Sequence, residues 1–288
     1  MTTRNNMNRM GAHAPGDSVA AVVPEEETRT MGYTVPTEIV DLPSKGKFYK
    51  QGHPLHEKDS IEIRHMTAKD EDILTNPSLV KKGVVIDRLL ESVIMDKSIR
   101  PSDLLICDKS ALIVATRVNA YGQDYSVKIP CGSCGTVADY EFDLNEAAKV
   151  GDFEKTAHDQ DDVSLTENGT FLVTLPRTKA VVEVRPLDGT DEQTVAKTNN
   201  MRAKNKLPPL GITDQMKLFI QSVDSNEDRG FISGFVDNMP ASDSLYMRSR
   251  YATIMPSFEL VQNWSCNACG YEQALEVPFT SDFFWPKQ

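Results

Sequence analysis

The pattern of apolar and polar positions changes character several times along the chain. Residues 1–34 hold scattered apolar side chains among Asn, Thr, Gly and Glu, with one apolar run at Val19–Val23. Such a stretch buries too little surface to offset its ordering entropy, which predicts a disordered N-terminal arm. From Val35 the chain reads as extended, with Pro36 and Pro43 opposing helix and Ser44-Lys45-Gly46 marking a turn. Ile61-Glu62-Ile63-Arg64 alternates as a strand does. Thr67 then stands where a helix cap belongs, ahead of Asp70, Glu71 and Asp72, whose charge suits a helix start. Val84–Ile94 sets Val85, Leu89, Leu90 and Val93 on one helical face. Pro101–Asp103 opens a short element, and Ser110–Arg117 fits helix or strand alike. Asp124–Ile129 and Ala138–Leu144 alternate as the two strands of a hairpin. Phe171–Leu175 and Ala180–Val184 form strands around a turn at Pro176–Lys179, Lys204–Gly211 reads as a loop, and Ala274–Phe279 as a last strand. Phe283-Phe284-Trp285 adds apolar surface that must pack or meet a partner.

The same order of patterns occurs twice. Val182-Glu183-Val184-Arg185, Leu187, Asp191 and Glu192 repeat Ile61-Glu62-Ile63-Arg64, Met66, Asp70 and Glu71 at a constant offset of 121 residues. More loosely, Lys217–Val223 echoes Asp87–Val93, and Arg250 stands for Arg117. The expected organisation is an α+β fold with an arm over residues 1–34, a first α+β repeat over 35–150, an acidic linker over 151–170 and a second repeat over 171–288. Each repeat runs strand, helices, hairpin. The linker gathers Asp159, Asp161 and Asp162 beside His158, without the alternation and distal glutamate of an EF-hand calcium loop.

Each predicted hairpin carries a thiol pair at its turn: Cys131-Gly132-Ser133-Cys134-Gly135 and Cys266-Asn267-Ala268-Cys269-Gly270. Two cysteines separated by two residues turn both sulfurs to one ion, and the following glycine lets the backbone curl around them. One pair supplies two ligands and a closed tetrahedral site needs four. The expectation is therefore a shared, zinc-ribbon-like site of four cysteines, Cys131, Cys134, Cys266 and Cys269, structural because no coordination position stays open. The 131 residues between Cys134 and Cys266 far exceed a compact ribbon, so the metal would staple two distant parts of the fold. The same thiolates suit an iron–sulfur cluster, and disulfides or free thiols are the bland alternative. The fifth cysteine, Cys107, sits in the apolar run Leu104–Cys107 and reads as a small buried hydrophobe.

Composition narrows the partners. A net charge of −11 opposes nucleic-acid binding, which needs a basic surface. No apolar run is long enough to span a bilayer, and the N-terminus lacks a secretory h-region, which suggests a reducing cytoplasm. Lys45-Gly46-Lys47 lacks the glycine-rich lead of a phosphate loop. His13 reads as solvated, and His53 and His56 read as loop histidines, although with Asp59 they are where a hydrolytic site would be sought.

The order of these features resembles the baseplate hub and assembly proteins of T-even-type myoviruses over roughly residues 35–280. The resemblance rests on Leu42-Pro43-Ser44-Lys45-Gly46-Lys47-Phe48-Tyr49, on Thr67–Leu74 and on Asp87-Arg88-Leu89-Leu90. It implies a role at the centre of a contractile phage tail, in contact with other baseplate or tail proteins and assembled in the host cytoplasm; the residues agree with a non-enzymatic reading, with no nucleophile paired with a base, no HExxH and no glycine-rich nucleotide loop. It is compatible with two roles, a virion component or a transient assembly chaperone. A zinc-ribbon nucleic-acid-binding regulator is the reading from another class, and the charge opposes it. Oligomeric state is not legible in the chain.

Overall fold

A computed structural model describes residues 34–158, 161–278 and 283–284. The expectations for the N-terminal arm, including His13 and Val19–Val23, and for Trp285 lie outside the described residues.

The described chain opens with β1 (Thr37–Asp41), which returns through an 18-residue loop as antiparallel β2 (Ser60–Arg64), with Val40 opposite Ile61. Thr67 caps α1 (Ala68–Leu74), and Asp70 reaches back to the Thr67 amide. That same carboxylate accepts two bonds from the Arg64 guanidinium, at 2.7 and 2.9 Å, which joins helix to strand. Asn76 caps α2 (Pro77–Lys82), and Gly83 in a left-handed conformation ends it. Next, α3 (Val85–Val93) buries Leu89, Leu90 and Val93 and leads to Ile94, which bridges to Ile63. After a 3-10 turn at Pro101–Asp103 comes α4 (Ile106–Tyr121), covering the segment that fitted helix or strand. Its buried residues include Cys107, Ala111, Leu112, Val114 and Arg117, which lie around much of its circumference; this is why no single-faced periodicity marks it.

The first hairpin follows as β3 (Asp124–Pro130) and β4 (Val137–Asp143), then α5 (Leu144–Ala147) and β5 (Ala148–Val150). The stretch expected to be a plain acidic linker is folded, with α6 (Phe153–His158) and β6 (Val163–Leu165) within it. Phe153 is buried against Phe48, with ring centroids 4.9 Å apart, while the acids around it face water. These elements are too short for a periodic signal, so charge dominates the sequence pattern.

Antiparallel β7 (Phe171–Thr174) and β8 (Val181–Val184) precede α7 (Gly189–Lys204) and α8 (Ile212–Phe219), followed by β9 (Ile220–Val223), α9 (Arg229–Asn238) and α10 (Ala241–Ile254). The expected likeness of Lys217–Val223 to helical Asp87–Val93 fails in detail, because Ile220–Val223 is a strand paired with β8. Last come β10 (Phe258–Ser265) and β11 (Glu272–Glu276). Among the described residues the strands form two two-stranded sheets, β1-β2 and β3-β4, a sheet β5-β10-β11 with β10 central, and a sheet β6-β7-β8-β9, all antiparallel.

Several local structures recur. The hairpins β1-β2 and β7-β8 share one register: Val40 faces Ile61 as Val173 faces Val182, and Glu38 faces Ile63 as Phe171 faces Val184. Arg185 grips Asp191 with bonds of 2.6 and 2.8 Å, at the positions of Arg64 and Asp70 plus 121. Buried Asp108 on α4 accepts from the amide and hydroxyl of Ser44. Buried Asp243 on α10 accepts in the same way from Thr178, at 2.9 and 2.8 Å. Lys45 and Lys179 follow in these loops with φ of 51° and 62°.

Candidate metal centre

The two thiol pairs are built alike. In the first knuckle the Cys131 amide donates to Thr136 O (2.9 Å) and the Gly135 amide to Cys131 O (2.9 Å). In the second the Cys266 amide donates to Tyr271 O (2.8 Å) and the Gly270 amide to Cys266 O (2.8 Å). Gly135 and Gly270 take φ of 71° and 70°, the left-handed region that glycine enters without strain. In each pair the first cysteine is buried and the second exposed.

The hairpins meet side by side. Tyr140 on β4 donates its hydroxyl to Asn263 O on β10 (3.0 Å), and the Asp143 amide donates to the Gln262 side chain (3.1 Å). Trp264 and Ile129, each two residues before a knuckle's first cysteine, are buried beneath. As a result the four sulfurs lie within 4.8 Å of one another, although 131 residues separate the pairs. Cys131 Sγ stands 3.7 Å from Cys269 Sγ and Cys134 Sγ 3.8 Å from Cys266 Sγ. A disulfide needs about 2.05 Å, so these are not bonded pairs. A tetrahedral zinc with Zn–S of about 2.3 Å has sulfur–sulfur edges of about 3.8 Å.

The electrostatics favour a cation among the sulfurs. The Thr136 hydroxyl beside Cys134 holds that thiol down at about 6, and backbone amides lower Cys131. The Tyr271 amide favours the Cys269 thiolate too, but the other thiols around it outweigh this and push it up to about 12. Sulfurs this close do not all ionise beside one another unless a positive ion sits among them. The donor set fits a metal ion, with zinc a good match to it.

The family model described as T4 bacteriophage base plate protein matches residues 35–285, a span that includes both knuckles. The chain belongs to this family. No curated protein and no solved structure matches it.

The other candidate residues of this baseplate protein make local contacts within the fold. Cys107 is buried on α4, with its sulfur 3.6 Å from an Asp108 oxygen, away from the four-thiol group. His53 stacks on Tyr49 (4.5 Å) and accepts from the Leu55 amide, while His56 donates to Tyr49 O (2.7 Å). With Asp59 they form no convergent ligand group; among the described residues the four cysteines are the group that does. The acidic helix start at Asp70 is engaged by Arg64, Thr67 and Ser92. No helix of the described residues is long and apolar enough to cross a membrane.

Sequence reasoning missed three buried polar groups. Asp108 pins the Leu42–Tyr49 loop through Ser44 and the Tyr49 hydroxyl (2.7 Å). Lys109 bridges Asp87 on α3 and Glu192 on α7, each at 2.7 Å. Arg117, 1% exposed, donates to the carbonyls of Phe283, Gly122 and Asp124. It thereby holds the chain at Phe283 and Phe284, both buried, against β3. The signal for Asp108 was present: Leu42-Pro43-Ser44 and Leu175-Pro176-Arg177-Thr178 recur, and Asp108 and Asp243 stand at the knuckles' own offset of 135.

Proposed function

We propose that this chain is a protein-binding subunit of the baseplate hub of a contractile phage tail, acting as a rigid scaffold stapled by one zinc ion. Membership of the family assigns it a structural or assembly role in the phage baseplate, with other baseplate proteins as partners. The hub position, the zinc and the scaffold mechanism are the proposal's own. The observation that carries the scaffold reading is the convergence of four sulfurs from two hairpins far apart in the chain. A tetrathiolate ion has no open position for substrate, so its contribution is to hold the two hairpins in fixed orientation. The shared hairpin register and the recurring Arg–Asp and Asp–hydroxyl contacts support a duplicated unit whose halves each bring two ligands. A baseplate subunit needs no catalytic site, and the reading is non-enzymatic.

The experiment is mass spectrometry of purified finished tails alongside assembly intermediates. A virion subunit is expected in both at constant ratio to other baseplate proteins. Presence in intermediates with absence from finished tails would assign the chain instead to a transient assembly factor.

A further inference from the structure

The two equivalent hairpins differ in what covers their outer edge. In the second, β6 pairs with β7, Val163 opposite Val173 and Leu165 opposite Phe171, and the Thr174 amide donates to Asp162 O (3.0 Å). In the first, no described strand pairs with the corresponding edge of β1. The inner side of β1 is fixed by Leu42 donating to Asp59 O and by His65 donating to Pro36 O. Strand alternation then turns the amides and carbonyls of Thr37, Ile39 and Asp41 outward. Ile39 on this edge is 70% exposed.

We propose that the β1 edge receives an extended segment of another tail protein, added as an antiparallel strand and carrying basic side chains against Glu38 and Asp41. The hydrogen-bonding edge is the one β6 already uses on the same hairpin register, which makes strand addition the geometry the site is built for. The chemistry of the occupant follows from what differs. Where β7 offers Phe171 to Leu165, β1 offers Glu38, half exposed; where β7 offers Thr174 beside Asp162, β1 offers Asp41. A cross-strand neighbour of opposite charge is favourable at both places, and an acidic one is not. A second copy of this chain, at net −11 and with the same two acids on its own β1, is the poorer occupant. The inference rests on the baseplate reading above.

The test is hydrogen exchange at the outward amides of Thr37, Ile39 and Asp41, in the isolated chain and in purified tails or assembly intermediates that contain it, together with two variants. Fast exchange in the isolated chain, slowed about tenfold or more in the assembly, is expected. Ile39→Pro removes an outward amide and no β1-β2 bond. It should leave thermal melting of the isolated chain unchanged and reduce incorporation, as should Glu38→Lys combined with Asp41→Lys. Free exchange in the assembly would overturn the inference alone. Protection already present in the isolated chain would also overturn it, in favour of a second copy if dilution relieves it or of residues 1–33 if their deletion does. Absence of the chain from tails and intermediates alike would overturn the functional reading itself.

Discussion

Asp70 is almost closed to water, and burial by itself would raise its pKa. The Arg64 guanidinium, the Ser92 hydroxyl and the Thr67 amide and hydroxyl outweigh that cost and hold it well below the carboxylate range. Asp191 is lowered in the same way, with burial opposing and Arg185 prevailing. Groups whose folded pKa is depressed stabilise the fold above their unfolded value, near pH 4, and that contribution is lost as pH falls through the folded values. Stability to urea is therefore expected to fall below about pH 4, and Asp70→Asn to flatten that dependence. Arg64→Met leaves the buried carboxylate without its cation and should cost about 3 kcal/mol at neutral pH; Arg64 keeps a fifth of its side chain in water, which holds the cost to the lower end for such pairs. Asp108→Ala strands the Ser44 amide and the Tyr49 hydroxyl in the core, and a loss of about 3 kcal/mol in the same measurement is expected.

The elements differ in how far they could be read in advance. Hairpin β3-β4 was legible because its residues alternate between a more buried and a more exposed face, and β7-β8 because two short apolar runs flank the turn at Pro176–Lys179. The start of α1 was legible from Thr67 and its acids. Helix α4 was not, since burial around it erases the periodicity, and neither were α6 and β6, whose six and three residues are shorter than any reliable pattern. The thiol knuckles could be read as local units, and their convergence from the four ligands a closed site needs, but the packing that brings the hairpins together could not. It depends on Tyr140 and Asp143 reaching β10, contacts between residues more than 100 positions apart. Turn glycines separate two outcomes. A Cβ on Gly46 would stand 2.3 Å from Lys58 O and 2.4 Å from Lys58 N, so Gly46→Ala should cost well over about 2 kcal/mol by displacing the loop. Gly135 has the same sign of φ but open space, so Gly135→Ala should cost only about 1 kcal/mol of backbone strain. Thermal melting of the pair distinguishes steric from conformational cost.

At the scale of the whole molecule, contacts from the second half repeatedly return to the first. Lys109 ties α3 and α4 to α7, β5 pairs with β10, the Tyr125 hydroxyl donates to Pro278 O, and Arg117 holds the carbonyl of Phe283. An ion bound by the thiol cluster would add one more link to this set, between the two hairpins. Chelation of the ion should then loosen the hairpins before the rest, seen as faster amide exchange at 124–143 and 258–276 with slower loss elsewhere. The central claim is that one closed ion joins these sulfurs, and native mass spectrometry of the purified chain addresses it most directly. The expected mass is that of one polypeptide plus a single zinc ion, falling to the bare chain in Cys134→Ser combined with Cys266→Ser. A wild-type chain that carries no metal, or whose mass shows the four hydrogens lost in forming two disulfides, would contradict the account.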